Sequence, residues 1–215
     1  MNDPTTSSFN DQLSLFIDRD ASYHELCMWM RELEMMGVRD VSKVINYSDL
    51  QHPIDELTAM LQAAEKGNLD IVRCLVHHGG DVDLSRINLG LTAFAWACYR
   101  DHLPVVKYLV ENCSVNVNAH TPAGRTGLLW ACRRGNLDMV RFLVEVAHVN
   151  VYHKENNLIS PLLLISSLAH VDEAKYLRII QYLVRICGVN VNEQDVNGYT
   201  ALINARYVMP YISIL

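Results

Sequence analysis

Apolar residues recur three and four positions apart in LDIVRCLVHH (69–78), LPVVKYLVEN (103–112) and LDMVRFLVEV (137–146). That spacing puts one oily stripe on a helix, with Arg73, Lys107 and Arg141 on the wet side. Ahead of each stripe a shorter apolar segment opens on Thr58, Thr92 or Thr126, and a fourth opens on Ser160. A hydroxyl there can accept from the free amides of a first helical turn, and Pro161 suits the first helical position because its missing donor costs nothing there. Gly67 and Gly135 fall where these first helices should end in a left-handed residue, and Asp101 takes that place once, at some strain. The predicted unit is therefore helix, tight turn, helix. Extended stretches such as VNVN follow, and Gly90, Gly124 and Gly198, each two residues before a capping threonine, read as hairpin tips.

The unit repeats. Thr58, Thr92, Thr126 and Ser160 stand 34 residues apart, and the same beat joins Ala63, Ala97 and Ala131; Ala64, Cys98 and Cys132; and Leu75, Leu109 and Leu143. The step stretches once, since Thr200 lies 40 residues after Ser160. Alignment of the segments places the six extra residues near Ala169 to Tyr176, as a longer loop between the fourth unit's two helices. Where the small pair recurs, neighbouring helices must approach closely, so Cys98 and Cys132 are expected to be spacers of alanine size.

DELTAMLQAAEKGNLDIVRCLVHHGGDVD, GLTAFAWACYRDHLPVVKYLVENCSVNVNA, GRTGLLWACRRGNLDMVRFLVEVAHVNV and NGYTALINA together resemble the ankyrin repeat from about Asp55 to Ala205. The fourth unit departs from the pattern, with Ile165-Ser166 in place of the small pair and Leu158 in place of the tip glycine. The resemblance implies an all-α solenoid with repeats at about 55–87, 88–121, 122–155 and 156–194 and a partial fifth at 195–215. It also implies protein binding on a concave side lined by first helices and tips. There Trp96 and Trp130 share one repeat position, Tyr99 and Arg133 a second, and Arg100 and Arg134 a third, while Arg125 lies at a tip. Tryptophan and arginine are common hot-spot residues, and the arginines suit an acidic segment. The competing roles are packing between units for the tryptophans and helix-end charge for the arginines.

Residues 1–54 fall outside the period and carry most of the charge, with nine acidic against four basic side chains, net -5; the remainder has 15 against 14. Ser22-Tyr23-His24-Glu25 matches a capping box, and Leu26, Trp29, Met30, Leu33 and Met36 trace a stripe up to Gly37, which predicts a helix over about 23–36. A repeat stack needs its exposed end covered, so this helix with the segment Val41 to Tyr47 is expected to cap the array; docking to another protein is the alternative. At the other end the fifth unit runs out at RYVMPYISIL, without a polar lid.

Overall charge is -6 with a pI near 5.8, which gives no field for nucleic acid. No apolar run reaches the roughly 20 residues of a membrane span, and the amino terminus lacks the features of a secretory leader. Six scattered cysteines without a C-x-x-C pair suggest a reducing compartment, the cytoplasm with the nucleus as the alternative. No phosphate-cradle or nucleophile-elbow motif is present, and the nine histidines show no familiar ligand spacing, so no cofactor, metal or catalysis is expected. The resulting expectation is a monomeric, non-enzymatic adaptor or scaffold that binds a protein. The alternative is a recognition or regulatory subunit of a larger enzyme complex such as a ubiquitin ligase.

Overall fold

A computed structural model describes residues 12–13, 15–19, 22–35, 59–84, 90–169 and 172–208. Two compact units divide the chain, Met1–Asn116 and Val117–Leu215. In the first unit α1 spans Tyr23–Met35, α2 Ala59–Lys66, α3 Leu69–His77, α4 Ala93–Arg100 and α5 Leu103–Asn112. In the second, α6 spans Gly127–Arg134, α7 Leu137–Glu145, α8 Pro161–Leu168, α9 Glu173–Arg185 and α10 Ala201–Val208. Among the described residues there is no sheet, and an isolated antiparallel bridge joins His120 to Thr126. The architecture is the all-α helix-pair solenoid that the sequence predicts.

Each first helix begins where a hydroxyl can close it. Thr92 Oγ1 accepts from the Ala95 amide at 3.3 Å, Thr126 Oγ1 from Leu129 at 3.4 Å, Ser160 Oγ from Leu163 at 3.3 Å and Thr200 Oγ1 from Ile203 at 3.3 Å. Thr58 lies outside the described residues. The first helices end in left-handed residues at Asp101 (φ 69°) and Gly135 (φ 72°), as Gly67 (φ 78°) does after α2. Glycine at 67 is also a matter of room, because a Cβ there would sit 2.4 Å from the His102 ring. Asp101 shows that the conformation itself admits a short polar side chain.

The second helices carry the core. Ile71, Val72 and Leu75 of α3, Val105, Val106 and Leu109 of α5, and Met139, Val140 and Leu143 of α7 are fully buried. Each such side chain contributes about 1.5–3 kcal/mol by leaving water. Within the first unit α2 packs on α3 and α4, and α3 on α1 and α5. Within the second, α8 packs on α6, α9 and α10, and α7 on α6 and α9. The small pairs Ala63-Ala64, Ala97-Cys98 and Ala131-Cys132 are sealed from solvent, as are Ile165 and Ser166, whose hydroxyl donates to the Leu162 carbonyl at 2.7 Å. Burial drives the Cys98 thiol pKa upward and pushes that of Cys132 up to about 12, which keeps both protonated.

The fourth repeat corrects the expected loop. Ala169, next after α8, is right-handed (φ -58°) where Asp101 and Gly135 are left-handed, and Asp172 caps a new start by accepting from the Lys175 amide at 3.1 Å. The extra residues are thus spent largely on helix: α9 runs 13 residues where α7 runs nine. Tyr176 lies inside α9, and its hydroxyl donates to the Arg133 carbonyl at 2.9 Å, back on the third repeat. Leu158, at the tip glycine's place, keeps the glycine backbone with φ 59° and pays for it with left-handed strain.

At the amino terminus α1 follows the predicted capping box. The Ser22 amide donates to Glu25 Oε2 at 2.9 Å, and Ser22 Oγ accepts from the Glu25 amide at 3.3 Å. Those bonds to its charged form hold the Glu25 carboxyl below its usual range. Leu26, Met30 and Leu33 are fully buried and Trp29 nearly so, with α1 packed on α3. Met36 and the segment 41–47 lie outside the described residues.

Candidate functional site

Trp96, Tyr99 and Arg100 stand on α4 in the first unit. Trp96 is 9% exposed, with Tyr99 edge-on to it at 5.8 Å between ring centroids. The Arg100 guanidinium covers both rings, 5.8 Å from the Trp96 centroid and 5.4 Å from that of Tyr99, and forms an ion pair with Glu65 at the end of α2. Arg100 is therefore committed inside the molecule, although its side chain remains 46% exposed. Trp96 serves as core, with its indole Nε1 buried and lacking a hydrogen-bond acceptor among the described residues.

In the second unit Arg125 donates through Nε to Glu155 Oε2 at 2.9 Å and lies over the Trp130 ring at 5.3 Å. Neighbouring tips are stitched to one another around it. The His153 Nε2–H donates to the Gly124 carbonyl at 2.8 Å, Asn156 Nδ2 to the Pro122 carbonyl at 3.0 Å, and the rings of His120 and His153 stack at 5.5 Å. Trp130 is half-buried. Arg133 and Arg134 close α6, both exposed and neither in an ion pair among the described residues. Their charge sits beside helix-end carbonyls, where the macrodipole favours cations. One of those carbonyls is occupied by Tyr176, whose own pKa is raised by burial against the opposing pull of the two arginines.

Comparison with protein families finds a model of three ankyrin repeats matching residues 37–121 and a further ankyrin-repeat model matching 123–153, together more than half of the chain. The chain belongs to the ankyrin-repeat family. Curated proteins provide no match. Ankyrin repeats are generally protein–protein interaction modules and typically non-catalytic. The matched span opens at residue 37, inside the segment that the 34-residue beat leaves outside the array, so the family pattern begins before the capping threonines become regular. No described helix is long and apolar enough to cross a membrane.

The ankyrin fold also brings together side chains that sequence reasoning kept apart. Cys27 of α1 and Cys74 of α3 lie with sulfurs 3.0 Å apart, and His78, one residue past α3, has Nδ1 3.7 Å from the Cys74 sulfur. Burial and the Cys27 contact raise the Cys74 pKa. The signal available in the sequence was the Cys74–His78 spacing of four residues, one helical turn; Cys27 stands outside the repeat and carried none.

Proposed function

We propose that this ankyrin array is a non-catalytic adaptor or scaffold, and that in the second unit Arg133 and Arg134 are the charges it offers to an acidic segment of a partner protein. The observation that carries the reading is the contrast among the four arginines. Arg100 and Arg125 are neutralised by Glu65 and Glu155 and laid over aromatic rings, whereas Arg133 and Arg134 project from a helix end with no carboxylate to answer them among the described residues. A bidentate guanidinium is well suited to a carboxylate, and two on adjacent residues suit a run of Asp and Glu. Trp96, Tyr99 and Arg100 support the local structure of their own unit, and Arg125 and Trp130 that of theirs. Where the partner resides, all six thiols being free fits a reducing compartment, the cytoplasm or nucleus.

The test is capture of an Asp/Glu-rich peptide by the full chain. Arg133→Glu with Arg134→Glu should abolish retention while leaving helical circular dichroism unchanged, and Lys107→Glu, on the exposed face of α5, should have little effect. Equal retention by the double variant and the native chain would remove the arginine pair from the reading.

A further inference from the structure

We infer that Cys27, Cys74 and His78 form a zinc site that clamps α1 onto the first ankyrin repeat. One donor atom from each of the three lies within 4.8 Å of the others. Tetrahedral Zn²⁺ with thiolate and imidazole ligands separates its donors by about 3.5–3.8 Å. The Cys74 sulfur and His78 Nδ1 already stand at 3.7 Å, and the two sulfurs at 3.0 Å need to part by under about 1 Å to admit the ion.

The placement follows from helix geometry. Cys74 and His78 are four residues apart at the end of α3, so they share one face, and Cys27 arrives on α1, which packs against that same helix. His78 Nδ1 lies 2.8 Å from the Cys74 carbonyl, and binding exchanges that contact for the ion: the proton moves to Nε2 and the Nδ1 lone pair, already 3.7 Å from the Cys74 sulfur, faces the metal.

A fourth position opens on the adjoining cavity of about 140 Å³, lined by His24, Cys27, Met28, Arg31, His77 and His78. His24 precedes Cys27 by three residues on α1, so a change of its side-chain torsions turns a second imidazole toward the ion. α1 then supplies one cysteine and one histidine, and α3 with the residue that caps its end supplies the other two. Binding releases the two thiol protons to solvent, and two thiolates cancel the charge of Zn²⁺, so Arg31 beside the cavity meets no added cation. Soft sulfur and imidazole donors favour Zn²⁺ over Mg²⁺ or Ca²⁺.

Such a site makes the docking of α1 depend on zinc and on reduced thiols. The test is titration of the full chain, chelator-stripped and held in a phosphine reductant, with Co²⁺. The expected result is thiolate-to-cobalt charge transfer and tetrahedral ligand-field bands at one equivalent, bleached by Zn²⁺. Cys27→Ser and His78→Ala, both at half-buried positions, should each weaken binding at least about tenfold while keeping native circular dichroism, and Cys113→Ser should leave it unaltered. Zn²⁺ should also slow amide exchange across Tyr23–Met35. Cobalt bands that persist in Cys27→Ser, a folded native chain that takes up no cobalt, or exchange indifferent to zinc would each overturn the proposal.

Discussion

Arg100 and Arg134 occupy the same position of successive ankyrin repeats, yet among the described residues one is spoken for and the other is not. The first has Glu65 to pair with and two rings beneath it; the second ends its helix in solvent beside Arg133. The repeat register explains the difference. Glu65 falls on the position that Tyr99 holds in the next repeat, so the carboxylate that answers Arg100 has no counterpart one step along. Equivalent backbone does not mean equivalent chemistry: the fold repeats the socket, and a single neighbouring residue decides whether the charge is internal glue or a surface offered outward.

That comparison presumes that α4 and α6 are held alike by the small pair beneath them. Ala131→Leu should therefore produce the largest loss, about 1–3 kcal/mol by urea unfolding, because the site is sealed and the added atoms overpack it. An unchanged midpoint would mean that the seam yields and that the two helices need not share geometry. Next, Tyr176→Phe removes the donor to the Arg133 carbonyl and should cost about 1 kcal/mol, read as a lower thermal midpoint, with helix content preserved. Smallest, and most direct, Arg100→Ala should lower stability by up to about 1 kcal/mol through the lost ion pair and ring contacts, whereas Arg134→Ala should stay within about 0.5 kcal/mol of the native chain. Equal losses for the two would erase the contrast.

How much of this was legible beforehand depends on the range of the interaction. Caps, turns and stripes are local, and Thr92, Thr126, Asp101 and Gly135 do in three dimensions what their positions in the beat predict. Ala169 to Tyr176 misled because an insertion's length is visible while its conformation is set by a competing cap, and Asp172 was that cap. The fate of the arginines was partly hidden. Glu65 and Arg100 are 35 residues apart, one repeat and one position, a spacing that could have been searched once the period was known. No such ruler reaches Cys27, which belongs to α1 and meets Cys74 through packing alone.

The bond from Tyr176 to Arg133 reaches beyond the pair of residues it joins. A chain of modules ordinarily opens one module at a time, each held only by its faces. Here the lengthened α9 fastens the end of the third repeat's first helix, and Lys175 lies where a side chain at Gly135 would have to go. Fraying of the fourth repeat therefore strips the Arg133 carbonyl of its donor, so the order of one module is tied to the helix end of the module before it.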